Sequence, residues 1–206
     1  MDYIYAIEKL KKMLKKKGLA EIEIEVAFKK AKDLDIMVLK NLYESMADMS
    51  IVYSEEELED IKRYTIPEEI INFYKKYEPN NLPYLSGHID LLSIKDIRYV
   101  NTTVAPSAYL LRYGLLTIAL TGDGDVIMMD LNNINNGQPR ILFGSFNWFS
   151  FNEMVRKVSV SSYSLGLSNS YLSDNIINNK LPVIEESFYN FIIGLSEEKY
   201  EQLYNK

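Results

Sequence analysis

The chain has 206 residues and a formal net charge of −6, and 47% of its residues are hydrophobic and 25% are charged. This balance is typical of a globular protein that can bury a sizeable core. The absence of cysteine excludes disulfides, thiol catalysis and cysteine-based zinc sites.

The charge is unevenly distributed along the chain. Residues 1–17 have a surplus of +4, which leaves −10 for the rest. A mildly acidic body disfavours nucleic-acid binding, because phosphate contacts need a basic surface, and it suits a basic protein partner. No apolar run approaches the roughly 20 residues of a membrane-spanning helix. The first residues also lack the basic-then-apolar order of a signal peptide, so we expect a cytoplasmic protein without membrane contact.

The first 50 residues have a helical pattern. Their first apolar side chains recur at the spacing of one helix face: Tyr3, Ile7, Leu10 and Leu14. Two further helices are predicted at about 20–33 and 35–48, where glycine and proline are absent. We interpret residues 1–50 as a helical N-terminal extension and residues 51–206 as the main domain. The lysines of the first helix also leave open a membrane or nucleic-acid contact.

Two helices with clear start signals open the main domain. Residues 54–57 read Ser-Glu-Glu-Glu, a capping box in which the serine and the last glutamate bind each other's backbone amides. Residues 65–68, Thr-Ile-Pro-Glu, begin the next helix with proline in its first turn. Its predicted buried face contains Ile70, Ile71, Phe73, Tyr74 and Tyr77.

Residues 114–131 predict a buried β-hairpin. Two apolar runs, 115–120 and 126–131, flank a turn rich in glycine and aspartate. Thr117 and Asp130 are the polar side chains inside these runs. Because both strands are apolar on nearly every residue, the hairpin belongs in the middle of a sheet that other layers cover.

The remaining segments predict an α+β fold with a central, mainly antiparallel sheet of short strands, covered by helices from both ends of the chain. The predicted strands are 88–92 and 140–143, and the predicted loops are 100–110, 132–137 and 159–180. A second capping box at 150–153 predicts a helix through Met154 and Val158. Residues 183–195 predict another helix, and Ser196 caps a last short one to Tyr204.

Catalytic chemistry has no visible constellation in the sequence. The turn at 122–125 lacks the later oxygen ligands of a calcium loop, so a structural turn is favoured. His88 is the single histidine, and no GxSxG nucleophile motif occurs. We therefore predict no catalytic, cofactor-binding or metal-binding residue. Trp148 and the phenylalanines around it indicate either a binding anchor or, as we favour, a core plug.

The order of these elements resembles the SMI1/KNR4 (SUKH) family over roughly residues 52–195. Residues 54–77, SEEELEDIKRYTIPEEIINFYKKY, are similar to the family's short acidic helix and its following Ile-Pro helix. Residues 114–131 resemble its central hairpin, which ends in Asp-Leu. Residues 140–143 resemble its third strand, and residues 187–192, SFYNFI, resemble its closing helix.

The resemblance implies a non-enzymatic protein-binding module. Bacterial members of the family are commonly immunity proteins, which bind a cognate toxin, often a nuclease, and block its active site. An acidic surface would then dock on a basic toxin domain. Our candidate contact residues are Asp123 and Asp125 at the hairpin tip and an acidic face of Glu55, Glu56, Glu59 and Asp60. A regulatory or scaffold role without a toxin, and an enzyme with an unrecognised site, remain alternatives.

Overall fold

The structure is a computed structural model that describes residues 2–46, 53–177 and 179–205, so the boundary predicted near residue 50 and the end of the helix predicted at 35–48 lie outside the described residues. The α-helices of the described residues are α1 (Ile4–Lys16), α2 (Glu21–Ala27), α3 (Asp33–Lys40), α4 (Leu42–Ser45), α5 (Glu55–Lys62), α6 (Glu68–Tyr77), α7 (Ile94–Thr103), α8 (Ser107–Leu110), α9 (Leu172–Ile177) and α10 (Phe188–Ser196). Their strands are β1 (Phe28–Lys29), β2 (Glu78–Pro79), β3 (Ile89–Leu91), β4 (Leu115–Thr121), β5 (Val126–Asn135), β6 (Gln138–Gly144), β7 (Phe149–Asn152), β8 (Lys157–Ser162), β9 (Leu167–Tyr171) and β10 (Val183–Glu185). Short 3-10 helices include Leu111–Tyr113 and Phe146–Trp148. None of the described helices has the length and apolarity that crossing a bilayer requires.

A five-stranded sheet in the order β10-β6-β5-β4-β3 forms the centre, and every neighbouring pair is antiparallel. The predicted hairpin is β4–β5, in which Leu116 lies opposite Met129. Gly124 closes its tip with a φ of 84°, a left-handed conformation that glycine adopts without strain. Helices from both ends of the chain pack against this sheet, so the predicted α+β class is confirmed.

The central strands bury both faces, as their continuous apolar sequences predict. Because side chains alternate along a strand, neighbouring residues of β4 and β5 enter different cores. The helical core, between the sheet and the helices, receives Leu116, Ile118, Ile127, Met129, Ile141 and Phe143 from the sheet. The second core, on the opposite face, receives Leu115, Val126, Met128 and Leu142.

Helices from the start, middle and end of the chain meet in the helical core. The Tyr3 and Phe73 ring centroids are 4.9 Å apart, and Phe73 and Phe188 are equally close. Such edge-to-face contacts add to the free energy of burial. The division into residues 1–50 and 51–206 stays a prediction, but side chains from both parts share this core.

A three-stranded sheet in the order β7-β8-β9 covers the second core. The helix predicted from the capping box at 150–153 is therefore wrong, since β7 and β8 form a hairpin there. Phe149 and Phe151 alternate with polar residues at the period of a strand, and both rings are half-buried. Val158 and Val160 continue the alternation in β8 and are buried. Burial of these apolar side chains stabilises a hairpin more than the capping box at 150–153 stabilises a helix.

Five other predicted segments differ in the structure. Residues 159–180, predicted as a loop, contain the end of β8, then β9 and α9. Residues 100–110, predicted as irregular, contain the end of α7 and α8, and the 132–137 loop is shortened because β5 and β6 continue to Asn135 and from Gln138. The 183–195 helix divides into β10, which pairs with β6, and α10, which Ser187 caps. The 20–33 helix ends at Ala27, because β1 pairs with β2.

Trp148, the chain's single tryptophan, lies in the 3-10 helix Phe146–Trp148 that connects β6 to β7. It is half-buried and packs against both the helical core and the second core. Its ring meets Phe143 edge-on at 5.8 Å between centroids. Its neighbour Phe146 is 49% exposed, so this aromatic group is part core and part surface.

Candidate functional site

Helix α5 begins with the predicted capping box. The Ser54 hydroxyl accepts a hydrogen bond from the Glu57 amide at 3.3 Å, and the Glu57 carboxylate accepts one from the Ser54 amide at 2.7 Å. The apolar side of the helix, Leu58 and Ile61, faces the helical core. The start of α5 is thereby fixed in position on the body of the protein.

Glu57 is also the centre of a buried ion cluster. Its carboxylate lies 2.6 Å from Nη1 of Arg112 and 2.6 Å from Nη2 of Arg156, while its side chain is only 4% exposed. Burial alone would raise the pKa of Glu57, but hydrogen bonds from Arg156 and Ser54 and the charge of Arg112 together lower it. Glu57 therefore stays ionised and connects α5 to Arg112 in the 3-10 helix Leu111–Tyr113 and to the β7–β8 turn.

Further hydrogen bonds hold the β7–β8 turn at both of its ends. Asn152 Oδ1 accepts hydrogen bonds from the amides of Met154 and Val155 at 3.0 and 3.3 Å. At the other end Arg156 has a φ of 49°, and its carbonyl accepts a hydrogen bond from Arg112 at 2.8 Å. The turn thus presents Met154, 95% exposed, on a well-defined backbone.

An open groove runs beside this turn, and we call it the aromatic groove. Its larger part has a volume of about 380 Å³ and is lined by Tyr53, Glu57, Tyr109, Arg112, Tyr113, Phe151, Glu153, Arg156 and Val158. Its smaller part, about 70 Å³, shares Tyr109, Phe151 and Val158 with the first and adds Ala105, Pro106, Phe146, Phe149 and Ser150.

Ring contacts and hydrogen bonds fix the side chains that line the aromatic groove. Tyr109 and Phe151 stack in parallel, 4.5 Å apart. The Tyr113 hydroxyl accepts a hydrogen bond from the Val158 amide at 3.0 Å. The Tyr53 hydroxyl donates to the Ala108 carbonyl, and burial raises the pKa of Tyr53 to about 12. These contacts keep the rings in fixed positions.

The predicted acidic face of α5 divides between the two flanks of the helix. With 3.6 residues per turn, Glu55 and Glu59 lie on the flank away from Glu57, whereas Asp60 lies on the same flank as Glu57. Glu55, Glu56 and Glu59 are exposed. Asp60 is half-buried and paired with Arg63 at 2.9 Å. The predicted acidic face is therefore not one continuous surface, and Glu55 and Glu59 lie away from the side of α5 that lines the aromatic groove.

The predicted hairpin-tip residues lie at the other end of β4 from α5, which packs near Leu111–Tyr113. The seven residues of β4 separate these two ends by about 20 Å. Asp123 is exposed. Asp125 accepts hydrogen bonds from the Ser145 hydroxyl at 2.8 Å and from the Phe146 amide at 2.9 Å. Asp125 thus positions Phe146, which lines the smaller part of the groove.

Most of the residues that line the aromatic groove could not be predicted from sequence patterns. Glu57 and its partners Arg112 and Arg156 are 55 and 99 positions apart, and no local spacing connects residues that far apart. Tyr109 falls in a segment predicted as irregular. The capping box explains the glutamate at position 57 by itself, so the sequence gives no indication that this carboxylate also binds two arginines.

The described residues contain no cluster of three or more histidine or acidic side chains arranged to hold a metal ion. His88 ends a 3-10 helix with a φ of 55° and an exposed side chain. Comparison of the chain with family models, with curated proteins and with solved structures finds no match.

Proposed function

We propose that this chain is a non-enzymatic protein-binding module, and that it acts in the bacterial cytoplasm as an immunity protein that binds and neutralises a cognate toxin. The observation that carries the proposal is the aromatic groove, which Glu57 and Glu153 line and next to which α5 and the hairpin tip carry further acidic side chains. The resemblance of residues 52–195 to the SUKH family suggests the toxin as partner. The groove supplies the surface on which that partner would dock.

The side chains of the groove suit protein recognition. Tyrosine and phenylalanine rings offer large contact areas and lose little conformational freedom on binding. Here Tyr109 and Phe151 are already stacked against each other, and Tyr53 and Tyr113 are held by hydrogen bonds. A partner side chain entering the groove meets a preorganised surface, which lowers the entropic cost of association.

The charges near the groove favour a basic partner. Glu55, Glu56 and Glu59 are exposed on α5, Glu153 is exposed on the β7–β8 turn, and Asp123 is exposed near the opposite end. Arg112 and Arg156 add little positive charge, because Glu57 and Asp60 are paired with them. Acidic side chains around an apolar centre steer a cationic domain into the docked position.

In this proposal neutralisation involves no chemistry by the chain itself. A nuclease binds its polyanionic substrate through a basic surface. An acidic module that covers that surface excludes the substrate by occupying its place. The exposed Met154 and Phe146 would add apolar contacts at the two ends of the groove.

Co-expression with the product of the adjacent reading frame tests the proposal. We expect a stable complex by size-exclusion chromatography and relief of that product's toxicity. Phe151→Ala should weaken the complex at least about tenfold, since it removes a stacked ring. Tyr163→Ala is the matched control, because Tyr163 is fully exposed and lies outside the groove.

A charge-reversal variant tests the proposal independently, in case the Phe151 variant fails to fold. Glu56→Lys, at an exposed position, should slow association and reduce its dependence on salt. Glu25→Lys on α2 is the control for this change. Absence of both a complex and relief of toxicity would overturn the immunity proposal, and a complex with a non-toxic product would indicate a regulatory or scaffold role instead.

A further inference from the structure

A second cleft, which we call the basic cleft, lies on the other side of Arg112 and Tyr113. Its volume is about 400 Å³, within the range of small-molecule sites. It is lined by Asp60, Arg63, Tyr64, Arg112, Tyr113, Asn132, Lys157, Ser173 and Ile176. It shares only Arg112 and Tyr113 with the aromatic groove.

The charge of the basic cleft is opposite to that of the whole chain. Three cations from separate elements line it: Arg63 at the end of α5, Arg112 in the 3-10 helix and Lys157 in β8. Asp60 is the one carboxylate among the described residues that line it. The protein has a net charge of −6, so a concentration of positive charge in a concave site indicates an anionic ligand.

The pairing within the cleft leaves positive charge available. Arg112 is paired with Glu57 at 2.6 Å and Arg63 with Asp60 at 2.9 Å, so the charge that remains for a ligand comes mainly from Arg63, which is largely exposed, and from Lys157. Among the described residues Lys157 has no carboxylate partner, and its ammonium lies 4.9 Å from the centroid of the Tyr171 ring. Arg63 is 72% exposed and Lys157 is exposed, so both can move toward a ligand at little cost.

The floor of the cleft is rigid. The Tyr64 hydroxyl donates to Asn132 Oδ1 at 2.9 Å, and Asn132 Nδ2 donates to the Tyr113 carbonyl at 2.8 Å. Gly114 has a φ of 71°, and a Cβ there would collide with the Tyr64 ring. The close approach of Tyr64 to the backbone therefore requires glycine at this position. A fixed floor below mobile cations is a favourable arrangement for a small anion.

We propose that the basic cleft binds a small phosphate-bearing ligand, of the class of phosphate monoesters. Arg63 and Lys157 contact the phosphate, and the Tyr64 and Tyr113 rings form the walls beside the organic part. A phosphate group suits the exposed Arg63 and Lys157, since arginine and lysine are its usual partners. The site does not depend on the proposed protein-binding function.

Isothermal titration of the full chain with adenosine monophosphate, inorganic phosphate and adenosine tests the proposal. We expect adenosine monophosphate to bind with a dissociation constant of about 1 mM or below, inorganic phosphate more weakly, and adenosine at least about tenfold more weakly than its monophosphate. Binding should weaken as salt is added, because the contacts are ionic.

Lys157→Met and Arg63→Met should each weaken adenosine monophosphate binding about fivefold or more, and Lys95→Met, at an exposed position of α7 outside the cleft, should not. Both altered side chains are exposed, and unchanged urea midpoints confirm that the variants are folded. The proposal is overturned if neither phosphate compound binds, if adenosine binds as tightly as its monophosphate, or if both cleft variants bind like the parent chain.

Discussion

Asp130 and Thr117, the polar residues of the central hairpin, are both fully buried and hydrogen-bonded. Asp130 accepts hydrogen bonds from Arg140 Nε at 2.8 Å and from the Asn132 amide at 3.0 Å. The Thr117 hydroxyl donates to Ser107 at 2.8 Å. Burial of a polar side chain in a sheet is tolerated when each of its groups finds a partner.

Asn101, which lies on α7 and is completely buried, binds the backbone of the same hairpin. We expect the stability of the fold to be more sensitive to substitution here than at the other buried polar residues. Its side-chain oxygen accepts from the Thr117 amide at 2.9 Å, and its nitrogen donates to the Thr117 carbonyl at 2.7 Å. Asn101→Ala leaves two buried backbone groups unpaired. We expect the free energy of unfolding to fall by about 2–4 kcal/mol in urea titrations.

The exposed Asn147 is the control for this substitution. Asn147→Ala should change the free energy of unfolding by less than about 0.5 kcal/mol. If Asn101→Ala proved equally mild, the two hydrogen bonds to Thr117 would not contribute to stability, and the interpretation of this part of α7 would be wrong.

Among the elements, α5 and the β7–β8 turn depend on each other through Glu57. The acidic helix supplies the carboxylate, and the turn supplies Arg156. Neither element has much core of its own, since α5 has eight residues and the turn is exposed. The ion cluster therefore determines the position of the turn beside the aromatic groove.

Glu57→Gln tests this dependence through its response to pH. Because the pKa of Glu57 lies below the ordinary value of 4.5 in the folded protein, its carboxylate stabilises the fold above that pH and loses its effect as pH falls through the lowered pKa. At pH 7 we expect a loss of about 1.5–3 kcal/mol in the free energy of unfolding. The difference from the parent chain should shrink below about pH 4.

Urea titrations at neutral and acidic pH measure both effects. Glu59→Gln is the matched control, because Glu59 is exposed and is paired with Lys62 on the same helix; its substitution should leave the free energy of unfolding nearly unchanged, since exposed ion pairs contribute little. A loss from Glu57→Gln that is the same at both pH values would contradict an ionic role for Glu57.

The two capping patterns of this chain show what local sequence can predict. At Ser54 the box is followed by glutamates, leucine and lysine, which favour a helix, and the helix forms. At Ser150 the same pattern is followed by Val158 and Val160, whose alternation fits a strand, and a hairpin forms. The candidate site was predictable only where chain neighbours build it, as in α5. The partners of Glu57 are too distant in sequence.

On the scale of the whole molecule, three layers are stacked: helices, the five-stranded sheet and the three-stranded sheet. The order of helices and strands was enough to predict the α+β class, and the continuous apolar runs predicted that both faces of the hairpin are covered. They could not predict what covers the second face. Strands β7 to β9 are short and serine-rich, so their buried positions are few.

Leu10→Ala tests whether α1 belongs to the same cooperative unit as the central sheet. Leu10 is fully buried in the helical core, so we expect a loss of about 2–5 kcal/mol in the free energy of unfolding. Hydrogen exchange of the β4 amides should accelerate to match, because these amides exchange by global opening. Lys12→Ala, at an exposed position of the same helix, should leave both unchanged.

Unchanged protection of β4 in the Leu10 variant would show that the first helix unfolds by itself. Residues 1–50 would then behave as the separate extension that the sequence predicts. Equal loss of protection in both parts would place the first helix inside the main domain.

Trp148 gives the molecule a built-in optical reporter. It is the single tryptophan and packs against both cores. Loosening of either core would expose its indole to water, so the emission wavelength would respond to each layer in turn. If the layers separate at different denaturant concentrations, the emission of this one residue will show two transitions instead of one.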